Sequence, residues 1–165
     1  IEVLLTVWRH GEAGVAATDD ARPLTSQGRS NITAGTKSYA EWMELAGCPP
    51  VASIWFSPTR RTEETAALLF AELAPTRIGV DEALAPGAIP EDFREFDGGE
   101  DEHIVFVSHQ PFVSSAIALW ADDPTLPLLA PGGYSILDVL CLERGGASVL
   151  SHCPDPQQEQ PDRYA

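Results

Sequence analysis

"LLTVWRHGEAG", residues 4–14, runs from an apolar strand straight into an arginine, a histidine and a glycine. The stretch over residues 2–8 has the β-branched and bulky apolar side chains of a buried strand. Arg9 and His10 at its tip are awkward in a core, where an unpaired charge is costly. At a strand end they are well placed for a site, because open α/β sheets bind ligands outside the carboxyl ends of their strands. The rule can be tested on the rest of the chain.

Two further strands obey it. "VASIWF" (51–56) is followed by Ser57-Pro58, read as the cap and first residue of a helix that carries Arg61 in its first turn. "HIVFVS" (103–108) ends in His109 and leads into a helix from Pro111 to Trp120. Three strand ends thus deliver Arg9, His10, Arg61 and His109 to one edge. Between them, Ser26 to Ala46 reads as a helix capped by Thr25, with Ile32, Thr36, Tyr39 and Met43 on one face, and Gly47 with Pro49-Pro50 stops it. The helix after Ser57 has the stripe Thr62, Ala66, Leu69, Phe70 and Leu73. A weaker strand covers 77–80, and strands 134–142 and 147–153 are joined at Arg144-Gly145-Gly146 as a hairpin. Strands alternating with helices predict a three-layer α/β sandwich with a mostly parallel sheet flanked by helices. Residues 1–153 form one domain in this reading, and the polar, proline-rich 154–165 a tail.

Composition narrows the partners. Hydrophobic residues at 44% and charged residues at 21% describe a globular chain. A formal charge of −15 argues against nucleic acid, which needs a basic footprint, but leaves room for one small anionic group held by a few arginines. No apolar stretch is long enough to span a bilayer, so no membrane partner is expected. Cys48, Cys141 and Cys153 are odd in number and irregularly spaced, which predicts no disulfide framework and fits a reducing cytoplasm. Cys141 reads as buried filler in a strand. Neither the cysteines nor the four histidines have metal-ligand spacing, so neither metal nor cofactor is expected. The oligomeric state is left open.

Two histidines and two arginines on one edge point to phosphoryl chemistry. A phosphoryl group carries about two negative charges near neutral pH, and the guanidinium fork matches its oxygens. Helix N-termini placed at Ser57 and Gln110 would add N–H donors. A neutral imidazole can attack phosphorus and carry the group covalently. Gly11 lets backbone pass close behind His10, where a carbonyl can hold the other ring nitrogen in one tautomer.

"RHGEA" (9–13), "SPTRRTEETA" (57–66) and "SHQP" (108–111) resemble the three motifs of the histidine phosphatase superfamily, the phosphoglycerate-mutase-like fold. "RPLTSQG" (22–28) and the short chain are similar to its SixA-type phosphohistidine phosphatase branch. The resemblance spans about residues 2–153. It implies that His10 is the nucleophile and that Arg9, Arg61 and His109 hold the phosphoryl oxygens. It implies also that Arg60 faces elsewhere, that Arg22 lies near the pocket, and that no metal takes part.

Each residue also has a plainer reading. His10 alone reads as a capped strand-end histidine, His109 as a helix-start residue, and Arg61 as the partner of Glu64 on a solvated face. Their combination favours catalysis. Arg22 is evenly balanced between pocket and surface. His103 and His152 read as ordinary surface or strand-end residues. Gly132-Gly133 reads first as a turn and second as a pocket border. The acidic run Glu91 to Glu102 reads as a solvated helix and turn with Ile89, Phe93 and Phe96 inward. A proton donor for the leaving group is not evident. Glu82 in "VDEALAP" stands one place from where the family pattern puts it, so strand alternation turns it to the other face; Glu12 and Asp19 are no better.

That gap suits a phosphoramidate, whose imidazole leaving group needs less help than an alkoxide. Only Ala83 to Glu102 is available as a cap over the pocket, too little for a substantial lid. A shallow cleft admits a side chain projecting from another protein. The expected function is a phosphatase acting through phospho-His10 on phosphohistidine of a partner protein. The alternatives are a small-molecule phosphomonoesterase or mutase, and a noncatalytic phosphate-binding module.

Overall fold

The computed structural model describes residues 3–158. The chain runs β1 (Val3–Arg9), α1 (Ser26–Leu45), β2 (Ser53–Phe56), α2 (Arg60–Leu73), β3 (Arg77–Val80), β4 (His103–Ser108), α3 (Phe112–Trp120), β5 (Tyr134–Val139) and β6 (Ala147–Cys153). One-turn 3-10 helices lie at Asp19–Ala21, Glu82–Leu84, Pro90–Phe93 and Pro156–Gln158. All six strands form one sheet in the order β3-β2-β4-β1-β5-β6. The β3–β2, β2–β4 and β4–β1 pairs are parallel, and β1–β5 and β5–β6 are antiparallel. The sheet is therefore mostly parallel, with helices on both faces.

Strand alternation divides the core in two. Leu5 and Val7, Ile104 and Phe106, and Leu137 and Val139 turn to the face covered by α3 and its Val113, Ile117 and Trp120. The intervening Trp8, Val105, Val107 and Ile136 turn to the other face and meet Ile32, Tyr39 and Met43 of α1 and Leu69 of α2. Each fully buried side chain of this size contributes about 1.5–3 kcal/mol. Because β1 and β4 are buried on both faces, their carboxyl ends leave the core side by side. That places Arg9-His10 next to Ser108-His109.

The Thr25 cap is present, its side chain accepting from the Gly28 N–H at 2.9 Å. Gly28 has a packing reason as well. A Cβ there would sit 2.3 Å from the Glu12 carbonyl oxygen, so α1 reaches the backbone behind His10 only because this position is bare.

Several expectations are corrected. The first strand runs on to Arg9, one residue past 8, its expected residue 2 lying outside the described residues, and β2 is shorter than 51–56. The second helix starts at Arg60 after Thr59, not at Ser57-Pro58, because the Ser57 hydroxyl is engaged with His109 at 2.7 Å and gives α2 no cap. Phe70 is exposed: it follows the buried Leu69 by one residue, about 100° round the helix. Ile89 is exposed while Phe93 and Phe96 pack inward. β5 ends at Val139, opposite Ala147, and Cys141 lies exposed in the connection rather than buried in a strand. Residues 154–158 do not hang free. The Pro154 carbonyl accepts from Ala130 N at 2.8 Å and Pro156 packs toward Gly35 of α1; the rest of the expected tail, 159–165, lies outside the described residues. No helix among the described residues is long and apolar enough to cross a membrane.

His103 opens β4 and His152 lies one residue from the end of β6, so their strand-end reading holds, but both are buried rather than surface residues. His152 Nε2 donates to the Pro127 carbonyl at 2.8 Å. His103 Nδ1 faces the Pro49 carbonyl at 3.2 Å, and its Nε2 meets Thr6 Oγ1 at 2.8 Å and Tyr39 OH at 3.0 Å. The carbonyl requires the proton on Nδ1, leaving Nε2 to accept from a hydroxyl. Burial lowers the His103 pKa to about 4, against the raising effect of the Pro49 carbonyl. The unfolded chain takes up this proton below its ordinary value of about 6.5, so stability is full above that pH and is lost as pH falls toward 4. Denaturant unfolding from pH 7 to pH 4 is expected to show this decline. A His103→Gln variant should be less stable at pH 7 but show a shallower slope, by up to about one proton; an unchanged slope would contradict the assignment.

Candidate active site

β1, β2 and β4 end at the same edge, and their backbones lock together there. His10 N donates to Ser108 O at 3.1 Å and Ser57 N to Val107 O at 3.1 Å, each continuing a parallel ladder past its last strand residue. Arg9 N donates to Gly133 O at 2.9 Å, and Gly132 N points at the carbonyls of Arg9 (3.2 Å) and His10 (2.9 Å). The Gly132-Gly133 turn therefore also braces the site. Gly11 N donates to Thr65 Oγ1 at 3.1 Å, tying the loop to α2.

This frame brings the four expected residues together. The His10 and His109 rings lie with centroids 5.2 Å apart, and both residues are buried. His10 Nδ1 lies 2.7 Å from Gly11 O, so the proton sits on Nδ1 and the Nε2 lone pair is free. Burial lowers the His10 pKa to about 4, opposed by the Gly11 carbonyl and reinforced by the charges of Arg61, Arg9 and Arg22. For His109 burial again leads, followed by His10 and Arg61, and the pKa falls to about 3. At neutral pH both rings are neutral, beside cations.

Three nitrogens around them lack a partner among the described residues, and the His109 one is a donor when His109 Nε2 accepts from the Ser57 hydroxyl. Arg9 Nε, Arg61 Nε and His109 Nδ1 are buried with no hydrogen bond. Buried polar atoms are nearly always satisfied, so such a cluster calls for an acceptor. The other edges of these groups are committed. Arg9 Nη1 donates to Leu129 O at 2.9 Å. Arg61 donates through Nη1 to Asp19 O at 2.8 Å and through Nη2 to Asp19 Oδ2 at 3.0 Å. Asp19 thus grips the far end of the guanidinium and leaves the Nε side for a ligand.

The remaining expectations divide. Arg60 is exposed and pairs with Glu64 at 3.1 Å, as the resemblance implies, while Arg61 does not pair with Glu64. Arg22 donates to Gly14 O at 2.8 Å and pairs with Asp19 at 3.3 Å, close enough for its charge to act on His10. Ser57 meets His109 and so orients that ring. Gln110 is occupied with Ser114 and the Leu129 carbonyl at the start of α3. The helix N-termini fall at Arg60 and Phe112, later than expected. Glu82 is exposed in a 3-10 turn beyond the end of β3, with no contact to His10 or Arg61. Strand alternation therefore does not govern it. Glu12 accepts from Thr25 Oγ1 at 2.8 Å and is also exposed. Asp19 is held below the usual carboxylate range by its bonds to Arg61 and Arg22, so it is anionic and a poor acid. The grip of Asp19 on Arg61 was not legible in the sequence, since the residues are 42 apart and joined by no motif.

Two outcomes follow from this geometry. Asp19→Ala is expected to weaken binding of tungstate or phosphate by on the order of tenfold, while Asp19→Asn, which keeps an acceptor, loses less; calorimetric titration reads both. Acylation of His10 by a reagent that attacks neutral imidazole should hold steady from pH 7 to about 5 and fall only toward pH 4, followed by peptide mass mapping. A fall centred near the ordinary histidine value of about 6.5 would contradict the assigned environment.

No family model matches the chain, and no curated protein sequence matches it. Solved structures do. The protein histidine phosphatase SixA complexed with tungstate aligns with a TM-score of 0.77 at 20% identity, covering 94% of this chain and 98% of that one. A chain from Agrobacterium tumefaciens assigned as a phosphohistidine phosphatase SixA gives 0.72 at 17% identity, covering 92% and 97%. Mycobacterial glucosyl-3-phosphoglycerate phosphatase with inorganic phosphate gives 0.65 at 16% identity, covering 95% and 100%. At these identities the likeness is one of fold, and this chain has the phosphoglycerate-mutase-like fold of these solved structures.

Proposed function

We propose that the chain is a histidine phosphatase that hydrolyses phosphohistidine on a partner protein through a phospho-His10 intermediate. The observation that carries this reading is the trio of unpartnered buried nitrogens, Arg9 Nε, Arg61 Nε and, with the Ser57 hydroxyl donating to the other ring nitrogen, His109 Nδ1, gathered around an imidazole whose Nε2 bears a lone pair. A tetrahedral dianion supplies the acceptors those donors lack, and its phosphorus is the electrophile that lone pair can attack.

The reaction has two steps. His10 Nε2 attacks phosphorus in line, and the bond from phosphorus to the substrate's imidazole nitrogen breaks. With the distal nitrogen of that ring protonated from solvent, the leaving group departs as neutral imidazole. Arg9, Arg61 and His109 hold the equatorial oxygens, where the charge of the transition state is spread. The Gly11 carbonyl stabilises the Nδ1–H as the His10 ring takes on positive charge. Water then attacks phospho-His10, giving dihydrogen phosphate and neutral His10. Such a leaving group needs no strong acid, in keeping with the exposure of Glu82 and the anionic state of Asp19.

The catalytic unit proposed is the domain of residues 1–153, with Arg22 as an auxiliary cation and a reducing cytoplasm as its setting. A second reading, a phosphomonoesterase acting on a small ester, draws on the fold shared with the glucosyl-3-phosphoglycerate phosphatase. One assay separates them. Incubation with a phosphohistidine protein, a phosphoserine protein and small esters should give turnover fastest on the first. An alkaline quench should trap acid-labile phosphate on His10, and His10→Ala should abolish it. Arg61→Ala is expected to lower turnover on the order of a hundredfold or more. Phosphate binding without label or turnover would instead identify a binding module.

A further inference from the structure

A second concave surface lies beside the site, on the α3 face of the sheet, where β2 and β3 extend beyond the cover of α3. It is a groove of about 820 Å³ between those strands and the loop of residues 92–101. Its floor is aromatic, with Trp55, Phe93 and Phe96. Trp55 is held flat against β3 by the absence of a side chain at Gly79, where a Cβ would come 2.9 Å from the indole. The indole N–H donates to Ser53 Oγ at 3.1 Å, and Ser53 in turn donates to Asp101 at 2.8 Å. The ring is thus a fixed shelf, only partly buried.

The rim is anionic. Asp81, Asp92, Glu95, Asp97, Glu100 and Asp101 line the groove against one cation, Arg77. Arg77 is itself paired with Asp101, and among the described residues the other five carboxylates have no ion-pair partner. An aromatic shelf within a rim rich in carboxylates that lack an ion-pair partner matches a chain carrying both apolar side chains and a guanidinium or ammonium, the apolar groups on the shelf and the cations pairing at the rim. The groove runs the length of β3, from Thr76 and Arg77 to Val80 and, past its carboxyl end, Asp81 and Ala83, and Trp55 in its floor precedes Ser57 of the site by two residues, about 7 Å along an extended chain.

We infer that this groove docks an extended basic segment of the protein whose phosphohistidine enters the site. The inference rests on the proposed function for the identity of that protein, but the groove's preference for cationic peptide is separable from catalysis. The cradle at His10 reads only the phosphoryl group, and the groove reads the chain that presents it. Lysine or arginine alternating with apolar residues places its charges on the rim and its apolar side chains on Trp55 and Phe96.

The test uses the full chain and two probes. The first is an unphosphorylated eight-residue peptide of alternating arginine and leucine, titrated by calorimetry beside its glutamate–leucine counterpart. The second is phosphohistidine, free and within each of those peptide contexts, assayed for turnover. The basic peptide is expected to bind at least tenfold more tightly than the acidic one, and its phosphohistidine form to show a KM at least tenfold lower. The double variant Glu95→Lys/Asp97→Lys, both exposed, should erase these preferences and leave kcat on free phosphohistidine unchanged. Glu41→Lys/Glu44→Lys, an equal charge change on the exposed surface of α1, should keep them. Equal losses in the two double variants would mean general charge attraction and overturn the groove assignment, as would equal affinity for both peptides. Selective binding of the basic peptide without turnover of any phosphohistidine would uphold the groove and defeat the catalytic reading.

Discussion

A neutral imidazole set among guanidinium groups depends on one short contact, the 2.7 Å hydrogen bond from His10 Nδ1 to the carbonyl of Gly11. It settles which nitrogen carries the proton and so which one carries the lone pair. Burial and the neighbouring arginines then act in the same direction, keeping the ring uncharged well below neutral pH. An imidazolium here would have no lone pair to offer phosphorus. The same cations that suppress protonation are the ones an incoming phosphoryl group requires, so electrostatics prepares nucleophile and substrate cradle together.

The rest of the structure holds that contact in register. β1 and β4 run parallel and continue their ladder beyond the sheet, fixing His10 against Ser108. Gly132 anchors Arg9 and His10 from the other side, and Thr65 of α2 holds Gly11. The bare position at Gly28 lets α1 close over the turn at Glu12. Asp19, on a short exposed loop, ties Arg61 down from outside the core. The pair is half-exposed, with Asp19 in solvent and Arg61 buried. Its value lies in orientation, since a planar guanidinium gripped at one end presents a defined edge at the other.

Much of this was readable in the chain. Buried strands announce themselves by composition, and a cation or imidazole at the end of such a strand stands out because the core cannot use it. Arg9, His10, Arg61 and His109 were legible for that reason. Local chemistry was less so: Ser57 has the residue type and position of a helix cap, and only the fold shows that His109 claims its hydroxyl. His103 was missed because a histidine at a strand start looks exposed until Thr6 and Tyr39, distant in sequence, are seen to satisfy it. Asp19 and the acidic groove depend wholly on which segments the sheet order places side by side, and no periodicity encodes that.

The central claim is the protonation state and tautomer of one ring, which nitrogen-15 NMR reads directly. In a sample labelled at the histidine ring nitrogens, at pH 7, His10 should show a protonated Nδ1 and a Nε2 resonance in the range of an unprotonated imidazole nitrogen. Tungstate should perturb that Nε2 while Nδ1 keeps its proton. A proton on Nε2 in the free protein, or two protonated nitrogens, would contradict the account.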